Sequence, residues 1–266
     1  MNSKKMRAAF IVVATLAAFL IPLAALSAQE PGNLPETKAS PALPTRYEAQ
    51  HEHLLLTDFG DLERFQAADA ALPPPAPDED RVVFMGDSIT QGWKIEGPEG
   101  TFPGKPYINR GISGQTTPQM LVRFRQDVID LKPKVVIILA GTNDIAENTG
   151  PMTLEETEEN LASMADLASY NHIRPVLCSV TPAFDFPWHR GLDPANKIVN
   201  LNDWIKAYAE QKGYVYVDYY SALKDAQGGL PPNLSHDGVH PNAAGYAIMA
   251  PLAEAGIEKA LAKPAQ

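Results

Sequence analysis

Four short blocks carry the side chains with which this chain could do chemistry. Gly86-Asp87-Ser88 follows directly on the apolar run Arg81–Met85. Asn109-Arg110-Gly111-Ile112-Ser113-Gly114, Gly141-Thr142-Asn143-Asp144 and His236-Asp237-Gly238-Val239-His240 come after it in that order. Their residue types suit acyl transfer. A serine hydroxyl is a poor nucleophile until a base takes its proton, and neutral imidazole is the usual base. His240 can supply the imidazole for Ser88, and Asp237, three residues earlier, is within reach to orient the ring and stabilise its charged form. A developing oxyanion needs fixed donors. The N–H of Ser88, the N–H of Gly111 with no side chain to block approach, and the Asn143 amide are the candidates. Each residue alone has a plainer role, as a turn serine, a cap pair at Asn143-Asp144, or an Asp-Gly turn at Asp237. Their joint occurrence, in order, is what points to catalysis. Read instead as metal ligands, His236, Asp237 and His240 would leave Ser88 and Asn143 without a purpose. The mechanism calls for no metal and no cofactor.

Such residues must be brought together by the elements around them. Apolar runs predict strands at Arg81–Met85, Tyr107–Asn109, Val135–Ala140, Ile173–Ser179 and Tyr214–Tyr219. Most are continuous, as expected of a parallel sheet covered on both faces. Helical patterns lie between them. Thr116-Thr117-Pro118-Gln119 opens one, with its stripe at Leu121, Phe124, Val128 and Leu131. Thr153-Leu154-Glu155-Glu156 is a capping box for the next. A third spans about Pro194 to Lys212. A last follows Pro241, and Pro251 should kink or break it. The expected fold class is α/β, a three-layer α/β/α sandwich around about five parallel strands. All four blocks then fall at strand ends on one edge of the sheet, where sites form in such folds.

The blocks resemble those of the GDSL, or SGNH, hydrolases, over roughly residues 81–260. The wording around Ser88 and the second block is most similar to acetylhydrolase-type members related to the platelet-activating-factor acetylhydrolases. The resemblance implies a flavodoxin-like sheet. It implies Ser88 as nucleophile, Asp237 and His240 as the rest of a triad, and Ser88, Gly111 and Asn143 as the oxyanion hole. It also implies a serine esterase acting on short acyl groups, acetyl above all. A long-chain acyl hydrolase of the same family (thioesterase or lysophospholipase), an acyltransferase and an inactive glycan-binding protein are the alternatives.

The remainder of the chain bounds these readings. Hydrophobic content of 45% and charged content of 20% are those of an ordinary globular domain. A net charge of −10 without a basic cluster gives no reason to expect nucleic acid as a partner. A small-molecule, carbohydrate or lipid ester fits; the oligomeric state is not legible. Lys4, Lys5 and Arg7 precede an apolar run from Ala8 to Leu26, with small residues at Ala25, Ser27 and Ala28. This predicts a signal peptide over 1–28 and export, with a membrane anchor over 8–26 as the alternative. Cys178 is the only cysteine, so an intrachain disulfide and an N-terminal lipidated cysteine are both excluded. Residues 29–45, rich in Pro, Ala and Glu, read as a linker, 46–77 as a helical extension and 78–266 as the hydrolase domain. Aromatic residues offer substrate walls: Trp93 just after Ser88, and Phe184, Phe186 and Trp188 in the loop after the fourth strand.

Overall fold

The computed structural model describes residues 46–263; the expected signal peptide or anchor and the linker lie outside these residues. In chain order the elements are α1 (Arg46–Thr57), α2 (Glu63–Ala71), β1 (Val82–Gly86), α3 (Ser88–Gly92), β2 (Tyr107–Gly111) and α4 (Thr117–Asp127). There follow β3 (Val135–Leu139), α5 (Thr142–Ile145), α6 (Leu154–Tyr170), β4 (Arg174–Cys178), α7 (Pro194–Lys212), β5 (Val215–Val217), α8 (Tyr219–Leu223) and α9 (Ala243–Leu261). The five strands form one sheet in the order β2-β1-β3-β4-β5. Every pairing is parallel, and Gly86 stands level with Gly111 on one side and Leu139 on the other.

Strand residues alternate between the two faces, and the core divides accordingly. Val83, Met85, Val136, Ile138 and Leu177 pack against Met120 and Phe124 of α4, Leu161 and Met164 of α6, and Ile198, Leu201 and Ile205 of α7. Val82, Phe84, Val135, Ile137, Val176, Cys178, Val215 and Val217 pack on the other face. Their partners are Trp93, Phe102, Tyr219 and, from α9, Met249, Ala253 and Ile257. This is the expected three-layer α/β/α sandwich. Cys178 is buried in β4, where burial pushes its thiol up to about 12, so it stays a neutral core side chain.

Two local features bear on the expected elements. The helical extension over 46–77 comprises two helices, α1 and α2. Residues 58–62 interrupt it, and Asp61 takes a positive φ of 52° that no helix continues through. Pro251 does not break α9, which runs through it. Pro251 and Ala247, whose carbonyl loses its usual donor, are both exposed, so water can take that donor's place.

Candidate active site

The turn after β1 is built by steric exclusion. A Cβ on Gly86 would lie 2.1 Å from Thr90 Oγ1 and 2.7 Å from the Leu139 carbonyl oxygen, so only glycine lets the chain turn this close to β3. Asp87 then caps α3, its carboxylate accepting the Ile89 N–H at 2.9 Å. Ser88 is therefore the first helical residue, at the carboxyl end of a central strand. No described residue accepts its N–H.

His240 comes from the loop just before α9. An isolated bridge between Ser235 and Pro241 pins that loop, and Tyr246 of α9 donates its hydroxyl to the Ile89 carbonyl at 2.7 Å. The helix after the histidine is thus tied to the helix that carries the serine. Ser88 Oγ lies 2.9 Å from His240 Nε2, and His240 Nδ1 lies 2.6 Å from Asp237 Oδ2. The other Asp237 oxygen accepts the N–H groups of His240 and Val239 and the Ser235 hydroxyl at 2.8–3.1 Å. Burial acts to raise the Asp237 carboxyl, but the His240 N–H, the imidazole and the Val239 N–H outweigh it and hold it well below the usual range. The geometry brings a hydroxyl, an imidazole and a carboxylate that is ionised at neutral pH into one hydrogen-bonded line. Such a line can move a proton from serine to histidine.

A cleft of about 400 Å³ opens beside this line, lined by Ser88, Ser113, Gly114, Asn143, Asn148, Trp188 and His240. Asn143 stands at its wall with its amide held at both ends. Its Nδ2 donates to the Gln115 carbonyl at 3.0 Å and, more loosely, to Asp87 Oδ2 at 3.3 Å, while its Oδ1 accepts from Asn148 at 2.8 Å.

Gly111 does not line the cleft. Its N–H is spent on Asn109 Oδ1 at 2.9 Å, and a Cβ there would sit 2.2 Å from the Gln91 nitrogen. Its smallness serves the packing of β2 under α3. Gly114, three residues on, lines the cleft instead, has φ +79°, and gives its N–H to no described residue. Sequence spacing alone did not separate these two glycines.

The aromatic candidates also divide. Trp93 is buried among Phe84, Phe102, Tyr219 and Tyr246, with ring centroids 5.5–6.3 Å away, and is no part of the cleft wall. Phe186 is fully buried beneath Trp188, stacked at 5.2 Å, and Phe184 is exposed outside the cleft lining. Trp188 alone of the four lines the cleft, its ring 6.0 Å from that of His240. The loop places one aromatic residue in the core to support another at the site. His236, Asp237 and His240 form no metal cluster; among the described residues no three His, Cys, Asp or Glu side chains do.

The sequence reading missed a buried polar group behind the turn. Arg123, fully buried in α4, donates to Asp127 Oδ2 at 2.8 Å, Gln115 Oε1 at 2.6 Å and the Gly86 carbonyl at 3.1 Å. The signal was present: Gln119, Met120, Arg123, Phe124 and Asp127 share one helical face, so the buried stripe carries an i, i+4 ion pair.

Fold and site together define an α/β hydrolytic enzyme with a serine at the end of its first strand. The chain belongs to the GDSL-like lipase/acylhydrolase family, whose model matches residues 84–248. A GDSL-like lipase from Bacteroides thetaiotaomicron superposes with a TM-score of 0.73 at 47% identity, covering 76% of this chain and all of that one. An acetylxylan esterase from Geobacillus stearothermophilus is 28% identical over 207 residues, 64% of this chain and 90% of its own length. An uncharacterized lipoprotein of Bacillus subtilis is 36% identical over 81 residues, 29% of this chain and 33% of its own.

Proposed function

We propose that this enzyme hydrolyses carboxylic esters with a short acyl group, acetyl above all, through a Ser88–His240–Asp237 triad. The observation that carries the reading is the hydrogen-bonded line from Ser88 Oγ through His240 to Asp237. Ser88 Oγ attacks the ester carbonyl carbon while His240 Nε2 takes its proton, and the C=O electron pair moves onto oxygen. The oxyanion is met by the N–H of Ser88, the N–H of Gly114 in place of Gly111, and the Asn143 amide, which gives up its loose 3.3 Å bond to Asp87 to do so. Collapse expels the alcohol, which takes the proton from His240 and leaves an acyl-serine. Water, deprotonated by the same imidazole, releases the acid.

Trp188 is the wall of the leaving-alcohol side, because the ring that protonates the alcohol is its neighbour. An aromatic face suits the flat side of a sugar, and the acetylxylan esterase relative supports a carbohydrate ester. Export is supported by the basic residues Lys4, Lys5 and Arg7 ahead of an apolar run, and by the lipoprotein relative. Among the described residues no helix is long and apolar enough to cross a membrane.

The test is a panel of p-nitrophenyl esters from acetate to decanoate, together with acetylated xylo-oligosaccharides, run on wild type and Ser88→Ala. The expected result is the highest kcat/KM for acetate, falling steeply beyond about four carbons, and loss of turnover in Ser88→Ala. Preference for long chains would refute the short-acyl reading, and an active Ser88→Ala would refute the triad.

A further inference from the structure

Asn148 touches three loops at once. Its Nδ2 donates to Asn143 Oδ1 at 2.8 Å and to the Gly114 carbonyl at 3.2 Å, and its Oδ1 accepts the Trp188 indole N–H at 3.0 Å. Gly114 follows β2, Asn143 and Asn148 follow β3, and Trp188 follows β4. A second tie runs beside it: His189 Nδ1 donates to the Ala146 carbonyl at 2.8 Å. Asn148's own backbone is held by its N–H on the Asn143 carbonyl at 3.0 Å.

The polarity of these bonds leaves one arrangement. An indole nitrogen can only donate, and a backbone carbonyl can only accept. Asn148 must therefore turn its oxygen to Trp188 and its NH₂ to Gly114 and Asn143. The Asn143 side chain then has to present its oxygen to Asn148. Its NH₂ end is left on the side of Gln115 and Asp87, next to Ser88. A flipped Asn143 would put a carbonyl oxygen where an oxyanion must be received.

We propose that Asn148 is a positioning residue that passes the donor polarity of the Trp188 indole to Asn143 and, together with the Gln115 carbonyl that accepts from the other end of that amide, keeps its NH₂ on the oxyanion side of the cleft. The inference rests on the reading of the site given above. It makes the alcohol-side wall and the oxyanion hole one unit. A change at the Trp188 nitrogen should be felt in the acyl-transfer step and not only in binding.

The experiment uses p-nitrophenyl acetate, with kcat and KM measured separately on the full chain. Asn148→Asp is close in shape but sets a carboxylate against Asn143 Oδ1, which favours the flipped amide. Removing one oxyanion donor typically costs about two to three powers of ten in rate, so partial misorientation should cost about 10- to 100-fold in kcat. KM should change by less than about threefold. In an Asn143→Ala background the same substitution should cost less than about twofold, because the group it orients is gone. Trp188→Phe, which keeps a ring and removes the N–H, should lower kcat several-fold in the wild type and hardly at all in Asn143→Ala. A merely structural role would lower thermal stability but would repeat the same loss in both backgrounds. The proposal is overturned if kcat of Asn148→Asp stays within about twofold of wild type, or if its loss is undiminished in Asn143→Ala. Should Asn148→Asp not fold, the Trp188→Phe and Asn143→Ala cycle decides, and additive losses there overturn it. Ser88→Ala run alongside separates the two readings. An active Ser88→Ala refutes the triad, whereas an inactive one beside an unimpaired Asn148→Asp refutes this inference alone.

Discussion

Two glycines three residues apart sit in different surroundings, and substitution should separate the roles proposed for them. Gly111 lacks room: an added methyl would stand 2.2 Å from the Gln91 nitrogen and 2.8 Å from the Asp87 carbonyl oxygen. Neither atom can withdraw without moving α3. Gly111→Ala is expected to lower the thermal midpoint by several degrees. Gly114 has room, its nearest atom for such a methyl being 3.9 Å away, but its φ of +79° is costly for any other residue. Gly114→Ala is expected to relax that φ, turn the N–H away from the cleft and lower kcat about 10-fold or more. Its stability should change by only about 1 kcal/mol. Thermal scans and p-nitrophenyl acetate kinetics on the two variants check this, and a reversed pattern would return the donor role to Gly111. The pair also marks the limit of legibility at this scale. Ser88, Asp237 and His240, which the structure brings into one hydrogen-bonded line, could be singled out from the sequence because the chemistry proposed for them is in their side chains. A backbone donor is defined by the direction of an N–H, which depends on φ and on what already accepts it. Residue type records neither. Asn148 was illegible for a related reason, since two of its partners, Gly114 and Trp188, lie in segments that follow other strands.

Among the elements, the strands and the main helices were legible because each carries a strong period, and the observed strand ends differ from the expected ones by only a residue or two; the stripe expected for α4 runs on to Leu131, whereas α4 ends at Asp127 and Leu131 lies in a separate 3-10 turn. What could not be read was how residues 46–77 relate to the sheet, since nothing in them matches the four blocks. In the structure they are bound to it. Asp69 of α2 pairs with Arg110 of β2, both side chains more than nine-tenths buried, and Arg110 also lies over the Phe65 ring at 4.6 Å. Gln115, Gln119 and Gln126 donate to the carbonyls of Gly60, Phe59 and Leu62. Gln115 is the residue whose carbonyl accepts the Asn143 amide, so the extension braces the back of the site at one remove. Removing one partner of a buried ion pair strands the other charge, at a cost of roughly 3–5 kcal/mol. Asp69→Ala is expected to lower the unfolding free energy by about that much in urea titrations. Its kcat at a temperature well below the transition should stay within about threefold of wild type, because Asp69 does not line the cleft. A loss below about 1 kcal/mol would mean that the extension rests on the sheet without supporting it.

Over the whole molecule, the carboxylates around the site act on stability with opposite signs. Asp87 is fully buried, and burial pushes its carboxyl up to about 7 against the pull of the Ile89 N–H and the His240 imidazole. Asp144, also buried, is pushed up to about 6 against the hydroxyl and N–H of Thr117. An unfolded aspartate titrates near pH 3.9. Between about pH 4 and pH 6–7 the unfolded chain has therefore released protons that the native protein still holds. Stability contributed by these two groups must fall as pH rises through that window, by up to about 1.4 kcal/mol per pH unit for each, and level off only at about pH 8. Asp237 runs the other way. Its carboxyl is held low in the fold, so its contribution is present above about pH 4 and is lost as the pH falls further. With both side chains of the His240–Asp237 pair about 40% exposed, that term is screened and small. The buried pair should then dominate the slope between pH 4 and 7. Asp87→Asn keeps an oxygen for the Ile89 N–H and removes the titration. Its thermal midpoint is expected to decline less steeply than that of wild type across this window, with the two slopes converging as the pH approaches about 8. Differential scanning calorimetry from pH 4 to 8 reads the difference directly. Equal slopes would show that Asp87 ionises in the fold much as it does in the unfolded chain, and that water reaches the turn beneath Ser88.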